Sequence, residues 1–188
     1  MQTISTAFIE QLHKTMYKQT VQDLAREVIV SQYSIKQLID LCLARKTQVA
    51  FRAAWVLEQI CIEEFETFFP HFFYFAGKFV LVKNPSVKRH FGKILFYTLQ
   101  QRTKQKQLEK WITTDSEAVA QTLFEWLIDH KTRPAVKVWC MDILVILSKQ
   151  YAWISEELTP TIESQMTEAS AGFRVRGKKI LKGKDFSE

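Results

Sequence analysis

The sequence predicts an all-α chain of short, paired helices, on three observations. Of 188 residues, five are Gly, four are Pro and a single one, Asn84, is Asn. All-β folds use these residues in their many turns, so the composition fits helices joined by brief loops. Apolar residues recur at i, i+3, i+4 and i+7 in nearly every segment, the spacing of helices with one buried face. One short pattern also returns four times along the chain, at spacings that suit paired-helix repeats. With 47% apolar and 24% charged residues, the chain has a globular rather than a disordered composition.

About eleven helices follow, over residues 5–19, 21–31, 34–45, 48–62, 69–82, 85–101, 104–113, 116–130, 134–150, 154–167 and 171–182. In the first, Phe8, Leu12 and Met16 fall four apart, with Ile9 beside them. Val21, Leu24, Val28 and Ile29 mark the buried face of the second, and Ile35, Leu38, Ile39 and Cys42 that of the third. Ser34 stands three residues before Gln37, the spacing of a capping box. Asn84-Pro85 and Arg133-Pro134 each put proline at the first position of a helix. Ser155-Glu156-Glu157 places acids in a first turn, where they meet the positive end of the helix dipole.

The stretch FETFFPHFFYFAGKFV, residues 65–80, holds eight aromatic side chains in sixteen positions. Glu66 and Lys78 leave only eleven residues between them without a formal charge. A membrane-spanning helix needs about 20 apolar residues. Pro70 is placed at the start of the helix, with Phe69, Phe72, Phe73 and Ala76 on one stripe and Phe75, Phe79 and Val82 beside it. The run reads as core between repeats, with Phe68, Tyr74 or Phe75 as the candidates for an outward contact patch.

The repeating pattern lies in VAFRAAWVLEQI, SVKRHFGKILFYTL, AVKVWCMDILVIL and GFRVRGKKIL. An apolar residue is followed by a base, and six residues later by Ile-Leu: Lys88 with Ile94-Leu95, Lys137 with Ile143-Leu144, Arg174 with Ile180-Leu181. Arg52 with Leu57 fits after a one-residue slip. Small residues stand between them, Ala54, Gly92, Cys140 and Gly177, and admit a closely packed neighbour. The four bases are 36, 49 and 37 residues apart, and the helix near 104–113 absorbs the longer interval.

This pattern resembles the HEAT repeats of the armadillo-like α-solenoid class, over roughly residues 34–182. The same segments are similar to a group of short bacterial HEAT-like proteins, some of which carry an adenylosuccinate-lyase name. The chain does not support that name: it lacks any Ser-Ser-x-Met-Pro-x-Lys-x-Asn loop and is far too short for the lyase fold. The resemblance implies a right-handed superhelix of about four helix pairs, as one domain over 1–182. Residues 1–33 would form an N-terminal cap, 34–182 the repeats and 183–188 a frayed tail.

Charge is uneven. Residues 83–110 carry eight Lys and Arg against one Glu, and residues 172–184 carry six against none, although the whole chain is only +6. The body is therefore acidic or neutral, with two basic segments. They read either as solvated helix faces or as a surface for an anionic partner. Arg89, Lys93, Arg102, Lys104, Lys106, Arg176, Lys178 and Lys179 are the candidates for partner contact. Arg52, Lys88, Lys137 and Arg174 recur at one repeat position, which fits a structural ladder bridging to acids in adjacent turns.

Little in the sequence points to catalysis. The four histidines, His13, His71, His90 and His130, show no HxxxH spacing, no CxxC occurs, and no metal site is expected. His90 reads as a surface residue and His130 as a dipole-compensating helix end. Neither GxxxxGK[ST], GxGxxG nor GxSxG is present, and no cofactor is expected. Cys42, Cys61 and Cys140 are distant, odd in number and flanked by apolar residues, as buried free thiols are. The N-terminus has no apolar signal region, which predicts a cytoplasmic protein.

Three functions are weighed. The first is a non-enzymatic scaffold for an acidic protein or peptide partner. The second is a nucleic-acid-binding module using residues 83–110 and 172–184. The third is an enzyme similar to HEAT-like DNA glycosylases, with Asp142 and the tryptophans Trp55, Trp111, Trp126, Trp139 and Trp153 in view; tryptophans at these spacings also suit a core.

Overall fold

A computed structural model describes residues 2–183, and nearly all of them lie in helices or short connections. Of the tail expected over 183–188, residues 184–188 lie outside the described residues. The chain divides into two compact units, residues 1–98 and 99–188.

The first unit holds α1 (Thr6–Gln11), α2 (Lys18–Val30), α3 (Ile35–Leu41) and α4 (Thr47–Glu63). After them come α5 (Phe65–Phe68), a 3₁₀ turn (Phe69–His71), α6 (Phe72–Phe79) and α7 (Pro85–Leu99). Ser5 caps α1, its hydroxyl accepting from the Phe8 N–H at 3.1 Å. Ser34 caps α3, accepting from the Gln37 N–H. The capping box does not close on itself, because the Gln37 amide oxygen accepts from the Ile4 N–H at 2.8 Å instead. The N-terminal segment is further held by the loop after α2: the Gln2 N–H donates to the Gln32 carbonyl, and the Ser34 N–H to the Gln2 carbonyl. α4 packs on α2 and α3 and buries Ala50, Ala53, Ala54, Leu57, Ile60 and Cys61.

The aromatic stretch is not one helix. Pro70 lacks an N–H and crowds the carbonyl four residues back, so the chain tightens into a 3₁₀ turn between α5 and α6. Phe68, Phe72, Phe75 and Phe79 are fully buried, and the Phe75 ring lies 4.6 Å from that of Phe91 on α7. Phe73, expected in the core stripe, is 49% exposed. It falls one residue off the buried face set by Phe72, Phe75, Ala76 and Phe79. Phe68 and Phe75, expected as outward candidates, are inside. Tyr74 is half-buried, and its hydroxyl donates to Asp40 on α3 at 2.7 Å.

The second unit holds a 3₁₀ turn (Arg102–Lys104), α8 (Gln105–Thr114), α9 (Glu117–Ile128), α10 (Pro134–Leu147), α11 (Ala152–Gln165) and α12 (Ala171–Leu181). α10 packs against α9, α11 and α12 and is buried along most of its length. The Ser116 and Tyr151 hydroxyls both donate to the Ile112 carbonyl, at 2.7 and 2.9 Å, and tie the end of α8 to the start of α11. α11 begins at Ala152, so Glu156 and Glu157 sit beyond the first turn in which they were expected. Ser170 caps α12 by accepting from the Phe173 N–H.

The four recurring segments fall on α4, α7, α10 and α12. Leu57, Ile94, Leu95, Ile143, Leu144 and Ile180 have no exposed surface. Gly177 shows why the central position is small: a Cβ there would lie 2.9 Å from Ile162 Cγ2 and 3.0 Å from Met166 Sδ, both from α11 and its cap. Gly77 on α6 differs, since a Cβ there meets nothing within 4 Å.

Two consequences are testable. Gly177→Ala is expected to destabilise the protein by about 1–3 kcal/mol through overpacking. Gly77→Ala should stabilise it by about 0.5–1 kcal/mol through helix propensity. Urea unfolding of the two variants checks the contrast, and equal effects would contradict the packing at Gly177. The second concerns His71, which is buried with neither ring nitrogen hydrogen-bonded. Burial, reinforced by the positive charge of Lys36, holds its imidazole below the usual histidine value. In the unfolded chain it titrates near ~6.5. As pH falls through that value, the unfolded chain takes up a proton that the folded chain refuses, and stability is lost until the folded value is passed. His71→Leu should flatten stability against pH between about 7 and 5. An unchanged slope would assign the loss to other groups.

Candidate partner-binding surface

In the first unit, several basic residues are engaged by the unit itself. The Arg52 guanidinium donates to the Leu12 carbonyl at 2.9 Å. Leu12 is the C-cap of α1, where the negative end of the helix dipole favours a cation. Lys93 on α7 donates to Glu58 Oε1 on α4 at 2.7 Å. His90 Nδ1 donates to the other oxygen of Glu58 at 2.6 Å. Burial alone would raise the Glu58 carboxyl, but the hydrogen bonds from His90 and Lys93 outweigh it and hold the group below the usual carboxylate range. Phe51 and Trp55 lie against the His90 ring, with centroids at 5.4 and 6.5 Å. His90, expected at the surface, is therefore buried, because a carboxylate and two aromatic rings from α4 cover it. Lys88 is half-buried and Arg89 exposed.

In the second unit, Lys137 donates to the Gln165 side-chain oxygen at 2.6 Å, and Arg174 to the Ala169 carbonyl at 2.7 Å. Arg52, Lys137 and Arg174 thus reach uncharged oxygens, where acids in adjacent turns were expected. Carbonyls near helix ends and a facing amide are the acceptors within reach of these long side chains. Arg176 pairs with Asp142 on α10, and both are largely buried. Arg102 and Lys106 are exposed and Lys104 is half-buried, on the 3₁₀ turn and the first turn of α8.

α12 presents the most continuous basic face. Arg174, Lys178 and Lys182 fall four apart and are exposed, with Lys179 beside them. The helix contains no acid, and Val175, within this face, is 72% exposed. Phe173, Gly177 and Ile180 form the opposite, buried face. Of the expected contacts, Lys178 and Lys179 lie together here, while Lys93 and Arg176 are in ion pairs with Glu58 and Asp142. Glu58 was missed in the sequence, since its partners lie 32 and 35 residues away and no local spacing marks such a pair.

The thiols do not form a reactive site. Cys42, Cys61 and Cys140 are free and buried; burial pushes the Cys42 thiol well up and that of Cys61 up to about 12. Neither is a thiolate at neutral pH. Among the described residues no helix is long and apolar enough to cross a membrane.

A family model described as HEAT repeat domain matches residues 8–184. No curated protein matches the chain, and no solved structure does.

Proposed function

The chain belongs to the HEAT repeat family, and on that premise we propose that it is a non-enzymatic scaffold that binds an acidic segment of a protein partner through α12. One observation carries this reading: an exposed helix face with Arg174, Val175, Lys178, Lys179 and Lys182, and no acid on the helix. Like charges gathered on one face raise the local potential and draw an anionic partner. Val175 adds an apolar contact within the charged row, the mixture that a partner with alternating acidic and apolar residues would cover. The pairing of Arg176 with Asp142 supports a division of labour, in which some bases hold the fold and others face solvent.

A nucleic acid would use the same charges differently, through phosphates and with a steep dependence on salt. Fluorescence anisotropy separates the two. A labelled Glu-rich peptide carrying apolar residues is expected to bind at physiological salt, and Lys178→Glu with Lys182→Glu should weaken it by at least ~10-fold, the loss of about two charged contacts. Duplex DNA should bind only at low salt. Tight DNA binding at physiological salt without peptide binding would replace this reading with the nucleic-acid one.

A further inference from the structure

The start of α12 also closes a cleft in the second unit. The cleft has a volume of about 480 Å³ and lies where the loops 129–133 and 166–170 meet. Among the described residues Lys137 is the one Lys or Arg that lines it, with His130 also at its edge, and Glu168 is the one carboxylate, exposed. Ile128 and the buried Phe173 lie on its apolar side, and Ile128 is 62% exposed. Lys137 is half-buried, and its ammonium is bonded to a neutral amide, that of Gln165, rather than to a carboxylate. An ammonium has three N–H donors, and the amide oxygen takes one.

The cleft adjoins the start of the basic face of α12. Ser170 and Phe173 line it, and Arg174, which begins the exposed row, donates to the carbonyl of Ala169, another lining residue. We propose that this cleft takes a carboxylate of the acidic peptide, with Lys137 as its counter-charge and Ile128 packing the adjoining methylenes. The proposal rests on the α12 reading and names what anchors the peptide there. The carboxylate is either an Asp or Glu side chain or the chain terminus, and both offer the same two oxygens. Burial holds Lys137 below the usual lysine value, with Asp129 and Cys140 offsetting part of that effect. An entering carboxylate favours the charged ammonium and so binds with a preference for protonated Lys137.

Calorimetric titration with the Glu-rich peptide, in free-acid and C-terminally amidated forms, tests this. Lys137→Gln is expected to weaken the free-acid peptide by ~10-fold, the value of one charge-assisted contact. Glu168→Gln, which removes the opposing charge at the cleft, should tighten it by a few-fold. Amidation that reproduces the Lys137→Gln loss identifies the chain terminus as the anchor; amidation without effect, beside that loss, identifies a side chain. Circular dichroism checks the fold of Lys137→Gln, and if that variant is unfolded the Glu168→Gln result decides. If both cleft variants bind as the parent does while Lys178→Glu with Lys182→Glu loses binding, the cleft proposal is overturned and the α12 reading stands. If the unaltered protein binds neither peptide, both are overturned.

Discussion

The burial of four sequence-related helices, α4, α7, α10 and α12, is the constraint on which the other features depend. Each must bring a wall of Ile and Leu against its neighbours, and each carries a small residue on its buried face: Ala54, Gly92, Cys140 and Gly177. Gly177 marks the limit, since α11 already occupies the space of a Cβ. The bases that recur on these helices then have long apolar stems beside the packed wall and heads that must find an acceptor. Arg52 finds the carbonyl at the end of α1, and Lys137 finds an amide. Their positions repeat because the helix packing repeats, and an uncharged acceptor satisfies each as a lone acid partner otherwise would.

The same constraint sorts the charges. Bases that turn inward meet carboxylates that are largely buried, as Lys93 meets Glu58 and Arg176 meets Asp142. A buried charge is tolerable only when paired, so these carboxylates belong to the fold. The row of Arg174, Lys178 and Lys182 lies on the opposite side of α12 from Phe173, Gly177 and Ile180, outside the buried core. Long basic side chains standing in water add little to stability. Their concentration on one helix, around an exposed valine, is what points outward to a partner.

How much was legible in the sequence follows from the range of each interaction. Helix periodicity, the Asn84-Pro85 and Arg133-Pro134 starts and the four anchor helices depend on residues within a few turns; the anchor helices stand where the spacing placed them, whereas the first helix, expected over 5–19, closes at Gln11 and leaves Met16 outside it. In α7, the Asn84 side chain accepts from the Ser86 N–H at 2.9 Å with Pro85 first in the helix, as such a pair favours. The aromatic stretch was legible as apolar but not as broken. Its periodicity alone does not tell that Pro70 turns the chain before α6 begins, and Phe73 was therefore assigned to the wrong side. His90 was misplaced because its partners, Glu58, Phe51 and Trp55, belong to another helix. The cleft beside α12 joins two loops some forty residues apart, and no local pattern announces it.

The central claim is that α12 is the surface a partner meets. It is tested most directly by amide chemical-shift mapping of the isotope-labelled protein during titration with the Glu-rich peptide. The account predicts that the largest shifts gather on Arg174, Val175, Lys178, Lys179 and Lys182 and on the residues around Lys137. Shifts centred on the exposed face of α6 or on Arg102 and Lys106, with α12 unmoved, would contradict it.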